Sequence, residues 1–294
     1  MSLTREQLSQ IRRLTLRTRL VVNDLLAGSY RSAFKGQGIV FESVRPYEPG
    51  DDVRNIDWNV TARTGEPHVK HYIEERELTI MLMVDTSASG NFGTVNRHKR
   101  ELAVEVGAIL AFAAINNNDR VGLLTFGEEI ESYLPPRKGL HQAMRIMGEI
   151  MNAPVRKTGT NLSQALRLMS QIISQRAIIF LISDFLAPAP AYRHNLIALS
   201  KRHDVIAAVI SDPREERFPA AGLLTLVDAE TGATRWADTG SPRWQAEFIE
   251  KNQARKGALD DMLRRAHIDR LDLPVTGDHM REITLLFRKR ATRR

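Results

Sequence analysis

Asp85, Ser87 and Ser89 stand at alternate positions in Asp85-Thr86-Ser87-Ala88-Ser89, directly after a run of apolar residues. In a segment leaving a strand, alternate residues face the same side, so this spacing lets one carboxylate and two hydroxyls reach one ion. Two further oxygen-bearing positions belong with them. Gly159-Thr160 precedes a helix expected to start near Asn161, and Asp184 closes a second apolar run. Two carboxylates and three hydroxyls at one sheet edge make an all-oxygen site. It suits a hard divalent cation, Mg²⁺ best, with Ca²⁺ or Mn²⁺ as alternatives. Taken singly, Asp85 and Asp184 are also ordinary strand-end turn residues, and Thr160 or Asn161 an ordinary helix N-cap. Their order, each beside the right element, favours one metal site with ligands Asp85, Ser87, Ser89, Thr160 and Asp184.

Hydrolysis at such a site would additionally need a general base or a positioned nucleophile. His98 is the only imidazole close in sequence to the first loop. The P-loop pattern, H-E-x-x-H and G-x-S-x-G are all missing. Gly36-Gln37-Gly38 lacks the third glycine and the following helix of a dinucleotide fingerprint, so it reads as a turn. The chain has no cysteine, which excludes disulfides, thiolate metal sites and thiol nucleophiles. Binding is therefore favoured over catalysis. The alternative is a metal-dependent hydrolase acting on a phosphorylated or acidic substrate.

Strands must deliver these groups to a common edge. Residues 78–84 are almost continuously apolar up to Asp85, and 177–182 are wholly apolar shortly before Asp184, as strands buried on both faces would be. Helical spacing marks 97–116, 140–151, 162–174 and 191–202, and further strands are expected at 121–126, 130–134 and 205–210. Strands alternating with helices predict an α/β fold with a mostly parallel sheet and helices on both faces. In such sheets ligands bind at the carboxyl ends of the strands, where the oxygen cluster lies. A hairpin at 223–236, a helix at 242–265 and a short C-terminal helix follow. The expected division is 1–76, an N-terminal helix (3–26, ended by Gly28) with a strand-rich accessory region; 77–240, the sheet domain; and 241–294, a C-terminal helical region with a basic tail.

Asp85-x-Ser87-x-Ser89, Thr160 and Asp184 together resemble the metal-ion-dependent adhesion site of von Willebrand factor A domains. The whole chain is similar to the bacterial DUF58 family, in which such a domain follows a distinctive N-terminal block. The matching stretches include Gly36-x-Gly38-x-x-Phe41, Arg45-Pro46-Tyr47-Glu48-Pro49-Gly50-Asp51-Asp52-Val53-Arg54, Ile56-Asp57-Trp58 and Thr61-Ala62-Arg63. Asp119-Arg120-Val121-Gly122-Leu123, Ser183-Asp184-Phe185 and Leu285-Leu286-Phe287-Arg288-Lys289-Arg290 continue them. The family usually carries Met after the second serine, where Gly90 stands here. The resemblance implies a von Willebrand factor A-like fold and a non-enzymatic, metal-dependent protein-binding module. A partner carboxylate would fill the metal's open position. It also implies a MoxR-type AAA+ ATPase as partner, in maturation or remodelling of a client. In the N-terminal block, Arg45, Arg54, Asp57, Arg63, Lys70 and Glu74 form either a docking surface or an internal ion-pair framework. Trp58 and Tyr47 among them favour the framework.

The 294 residues carry 42 Lys+Arg against 35 Asp+Glu, a formal net charge of +7. Basic residues concentrate at Arg5, Arg12, Arg13, Arg17 and Arg19 and again at Arg288, Lys289, Arg290, Arg293 and Arg294. A solvated helix face and a frayed tail account for both. Peripheral contact with acidic lipid through these ends is an alternative. No aromatic residues interleave with them to stack bases, which argues against nucleic acid. The longest apolar run, 106–115, is half the ~20 residues a membrane helix needs, and arginines interrupt any N-terminal signal-like stretch. A soluble, cytoplasmic protein is expected.

Overall fold

The computed structural model describes residues 27–34, 40–73, 77–93, 97–154, 159–228 and 232–293. The helix expected at 3–26, the turn at Gly36-Gln37-Gly38 and Glu74 lie outside them. A short helix α1 (Ala27–Ala33) leads to an antiparallel pair, β1 (Val40–Pro46) and β2 (His68–Ile73). Between these strands lie a 3₁₀ turn at Val53–Asn55 and helix α2 (Trp58–Thr64). Then come β3 (Thr79–Asp85), α3 (Lys99–Asn116), β4 (Arg120–Phe126), β5 (Ile130–Arg137), α4 (Leu140–Asn152) and α5 (Leu162–Ile172). They are followed by β6 (Ile178–Ser183), α6 (Ala189–Arg202), β7 (Asp204–Ser211), α7 (Pro213–Glu216) and the hairpin of β8 (Leu223–Val227) and β9 (Thr234–Asp238). Helix α8 (Pro242–Arg265), β10 (Asp269–Pro274) and α9 (His279–Thr292) complete the chain.

The central sheet runs β10-β7-β6-β3-β4-β5, with β5 antiparallel to β4 and the other pairs parallel. This is the mostly parallel α/β sheet that the sequence predicts. The apolar strand runs follow from two-sided burial. On β3, Ile80, Leu82 and Val84 pack under α1, α3, α4 and α9, whereas Met81 and Met83 pack under α5, α6 and α8. The same alternation sends Phe180 and Ile182 of β6 to the first core and Ile179 and Leu181 to the second. Gly122 is fixed by close approach, since a Cβ there would lie 2.6 Å from Met81 Sδ and 2.8 Å from the Leu134 carbonyl oxygen.

Three expectations need correction. The C-terminal segment is not a separate helical region, because residues 269–274 pair in parallel with β7 as an edge strand of the same sheet. Gly28 does not end a helix. It lies inside α1, where burial of Tyr30 and Phe34 outweighs the ~1 kcal/mol that glycine costs a helix. The Tyr30 hydroxyl donates to Asp119 at 2.7 Å, and Asp119 accepts the Leu78 N–H at 2.9 Å, tying α1 to the first strand of the sheet. The basic C-terminal segment is also no frayed tail. Arg290 is buried against the Phe34 ring and pairs with Asp204 and Asp269 from the two adjoining strands β7 and β10, and Arg293 pairs with Asp269.

Candidate metal centre

β3 and β6 are neighbours at the point where the chain order of the sheet reverses, so the loops leaving them open a crevice at their carboxyl ends. Asp85 is the last residue of β3, and a 3₁₀ turn at Ala88–Asn91 folds the following chain back over it. Asp85 Oδ1 accepts the Ser87 N–H at 3.0 Å, and Oδ2 accepts the Ser183 hydroxyl at 2.7 Å. The Ser87 and Ser89 hydroxyl oxygens lie 3.0 Å apart. Ser183 in turn accepts the Phe185 N–H at 3.1 Å, and Phe185 holds a left-handed φ of 52°. A bulky residue enters that region only when its surroundings impose it. Here the hydrogen bond to Ser183 and burial of the Phe185 ring do so, and they turn the chain immediately after Asp184.

Asp85, Ser87, Ser89 and Asp184 line one cavity of about 20 Å³, room for a single water or ion. Gly90 borders it. A Cβ at Gly90 would meet only Arg100 Cβ at 3.8 Å, an ordinary contact, so the family's usual methionine has space for its stem. Thr160 does not line the cavity. Its loop comes close by another route, because Asn161 donates its N–H to the Gly127 carbonyl at 2.8 Å and Gly127 lies against the Ser87 backbone. Asn161, whose side chain accepts the Gln164 N–H at 3.0 Å, is the N-cap of α5.

Sequence reasoning alone does not find Lys99. This lysine is only 2% exposed; its ammonium donates to Asp184 Oδ2 at 2.6 Å and to Glu215 Oε1 at 2.5 Å. Glu215 comes from α7, just beyond the end of β7, where its other oxygen accepts the Asp212 N–H at 3.3 Å. In the sequence Arg97-His98-Lys99-Arg100 looks like a solvated basic cluster. The one signal is electrostatic, since a cation at the first position of a helix opposes the helix dipole. Burial alone would lower the lysine's pKa, but Asp184 and Glu215 outweigh it and raise the value above the ordinary lysine range. Asp85 is pushed away from a normal carboxylate, up to about 7, chiefly by burial and then by the Asp184 charge. Burial also raises Glu215, against the pull of Lys99. Arg100, the other basic residue bordering the cavity, directs its guanidinium to the carbonyl oxygens of Ile150 and Met151, each at 3.3 Å, and of Ala153.

Two carboxylates, Asp184 and Glu215, thus hold one ammonium, with Asp85, two paired hydroxyls and a water-sized space beside Asp184. Among the described residues no three histidine, aspartate or glutamate side chains cluster as a metal cage. Asp85, Ser87, Ser89 and Asp184 are the oxygen donors that could hold a hard cation there, Asp184 already being bonded to Lys99. His98 Nδ1 lies 2.7 Å from the Asn91 carbonyl oxygen, so a backbone contact holds its ring.

The profile of the family described as "Protein of unknown function DUF58" matches residues 43–258. The chain belongs to the DUF58 family. It is 33% identical over 276 residues to the uncharacterized protein Rv1480 of Mycobacterium tuberculosis, covering 93% of this chain and 86% of that protein. Among solved structures, it is similar to the conserved hypothetical protein BatB from Bacteroides thetaiotaomicron (TM-score 0.48, 17% identity, 73% of this chain and 99% of that one). It is also similar to the SpRpn10 VWA domain (TM-score 0.34, 13% identity, 74% of this chain and 96% of that one). The strand order and helix placement of this DUF58 chain are those of a mostly parallel α/β sheet covered by helices on both faces. Among the described residues no helix is long and apolar enough to cross a membrane.

Proposed function

We propose that this DUF58 protein is a non-enzymatic, divalent-cation-dependent protein-binding module. One observation carries the reading: carboxylates and hydroxyls from the ends of adjacent strands β3 and β6 surround a space the size of one ion. Asp85, Ser87, Ser89 and Asp184 would hold the cation, Mg²⁺ being the best match, and Thr160, which does not line the cavity, would join them only if the loop before α5 moved toward it. The bound ion would supply a Lewis-acidic position for an acidic side chain of a partner. The chain's own part is to hold the oxygens in place through the Ser87 and Ser183 bonds to Asp85. Engagement of His98 with backbone supports binding over hydrolysis, because that ring is the imidazole nearest in sequence to the first loop.

Family membership supports a MoxR-type AAA+ ATPase as the partner, with the pair acting on a client protein. The test is capture of the purified ATPase by this protein in Mg²⁺ and in EDTA. Wild type should retain it only with metal, and Asp85→Ala should lose it while keeping its circular dichroism spectrum. Equal capture in EDTA, or by Asp85→Ala, would overturn the reading. Metal-dependent turnover of a phosphoester, lost in Asp85→Ala, would install the hydrolase reading instead.

A further inference from the structure

A lysine at the first position of a helix, buried to 2% exposure, has two electrostatic costs. It gives up hydration, and it sits at the positive end of the α3 dipole. A hydrophobic residue of the same length would avoid both and would still pack beside Phe92, over whose ring the ammonium lies 5.9 Å from the centroid. The position is explained by the carboxylates it serves. Asp184 and Glu215 come from two different strand ends, and Asp85, from a third, lines the same cavity as Lys99 and Asp184. Among the described residues lining the cavity, the other base is Arg100, which is committed to backbone carbonyls, so without Lys99 the carboxylates of Asp85 and Asp184 would stand there with no paired cation.

We propose that Lys99 is the built-in cation of this centre, and that its ammonium competes with the divalent ion for Asp184. The inference rests on the metal-dependent reading above and says what regulates that site. With no ion bound, the ammonium occupies Asp184 Oδ2 and keeps the strand ends together. When an ion binds at Asp85, Ser87 and Ser89, it shares Asp184 with a neighbouring positive charge, so its affinity is lower than the oxygens alone would give. Lys99 retains Glu215 in that state, which leaves it a carboxylate of its own. The lysine therefore makes the site weak and readily reversible, a suitable property for a module that must release its partner.

The test uses the full chain and Mn²⁺ as the probe, with the free aquo ion counted by electron paramagnetic resonance. Wild type, Lys99→Met and the charge-compensated Lys99→Met/Glu215→Gln are titrated, and circular dichroism checks that each is folded. Removing the ammonium should tighten Mn²⁺ binding roughly tenfold or more. Adding Asp85→Ala should abolish that binding. If wild type binds and the folded variants bind equally or more weakly, Lys99 is a structural tie only; that overturns the inference and leaves the metal reading intact. No Mn²⁺ binding by any form would sink the metal reading itself, and this one with it. Failure of both variants to fold would mean the ammonium cannot yield Asp184, which also overturns competition.

Discussion

The strand-end centre and the N-terminal block between β1 and β2 both consist of charged residues held by ion pairs, and they differ in where those pairs sit. In the block, Arg45 meets Asp51 through two nitrogens at 2.6 and 2.8 Å in a part-exposed pair, and Asp52 holds Arg54 at the surface. Asp57 caps α2 by accepting the N–H groups of Asn59 and Val60. These contacts tie the block to itself, as an internal framework would. Trp58, expected to be part-buried, is 70% exposed. At the strand ends, by contrast, Lys99 and Asp184 are almost out of water and Glu215 is mostly covered. Similar charges therefore play different parts: exposed pairs shape a turn at little energetic consequence, whereas buried ones become interdependent, because removing one strands the others.

The largest effect should come from breaking the buried side of that comparison. In metal-free buffer, Lys99→Met leaves Asp184, and the mostly covered Glu215, without their cation, and should cost about 3–5 kcal/mol in denaturant unfolding. Adding Glu215→Gln should recover part of that loss. A cost below about 1 kcal/mol would mean that water reaches the cluster and that the contrast drawn above is false.

A smaller effect tests how the block is built. Asp57→Ala removes the acceptor for two N–H groups at the start of α2 and should destabilise by about 1 kcal/mol, the usual worth of an N-cap. Asp57→Asn or Asp57→Ser should restore most of it. If both behaved like alanine, the carboxylate charge, not its capping geometry, would be what matters.

The same division explains what can be read in the sequence. The core strands are legible because burial on both faces leaves an unbroken apolar run, as in 78–84 and 177–182. β10 is not, because an edge strand in which Leu271 and Leu273 alternate with Arg270 and Asp272 carries a short and mostly polar signal. β5 runs on through Pro135 and Pro136, past the expected end at 134, since an edge strand tolerates missing N–H donors. For the centre, the spacing of Asp85, Ser87 and Ser89 is local and visible. Lys99 is brought to Asp184 across 85 residues and to Glu215 across 116, and no local pattern encodes such a meeting. Arg290 is hidden similarly: a basic run near the end of the sequence looks solvated until β7 and β10 present Asp204 and Asp269 to it.

The smallest expected effect lies at the other pole of the comparison, Arg45→Ala. The Arg45 side chain is 39% exposed, so loss of its pair with Asp51 should change the melting temperature near neutral pH little, and less still in high salt. The pair nevertheless has a pH signature. The Arg45 guanidinium, helped by the Glu48 N–H at 2.9 Å, holds the Asp51 carboxyl below its ordinary range. A carboxyl whose folded-state pKa lies below its unfolded value contributes fully above the unfolded value and loses that contribution as pH falls through the folded one. Whatever small difference separates wild type from Arg45→Ala should therefore persist at neutral pH and shrink as the pH drops below about 4. A difference as large as that of Lys99→Met, or one that grows on acidification, would show that the block leans on Arg45 as heavily as the strand ends lean on their lysine. In that event the family's longest motif would mark a second buried electrostatic centre instead of a surface turn.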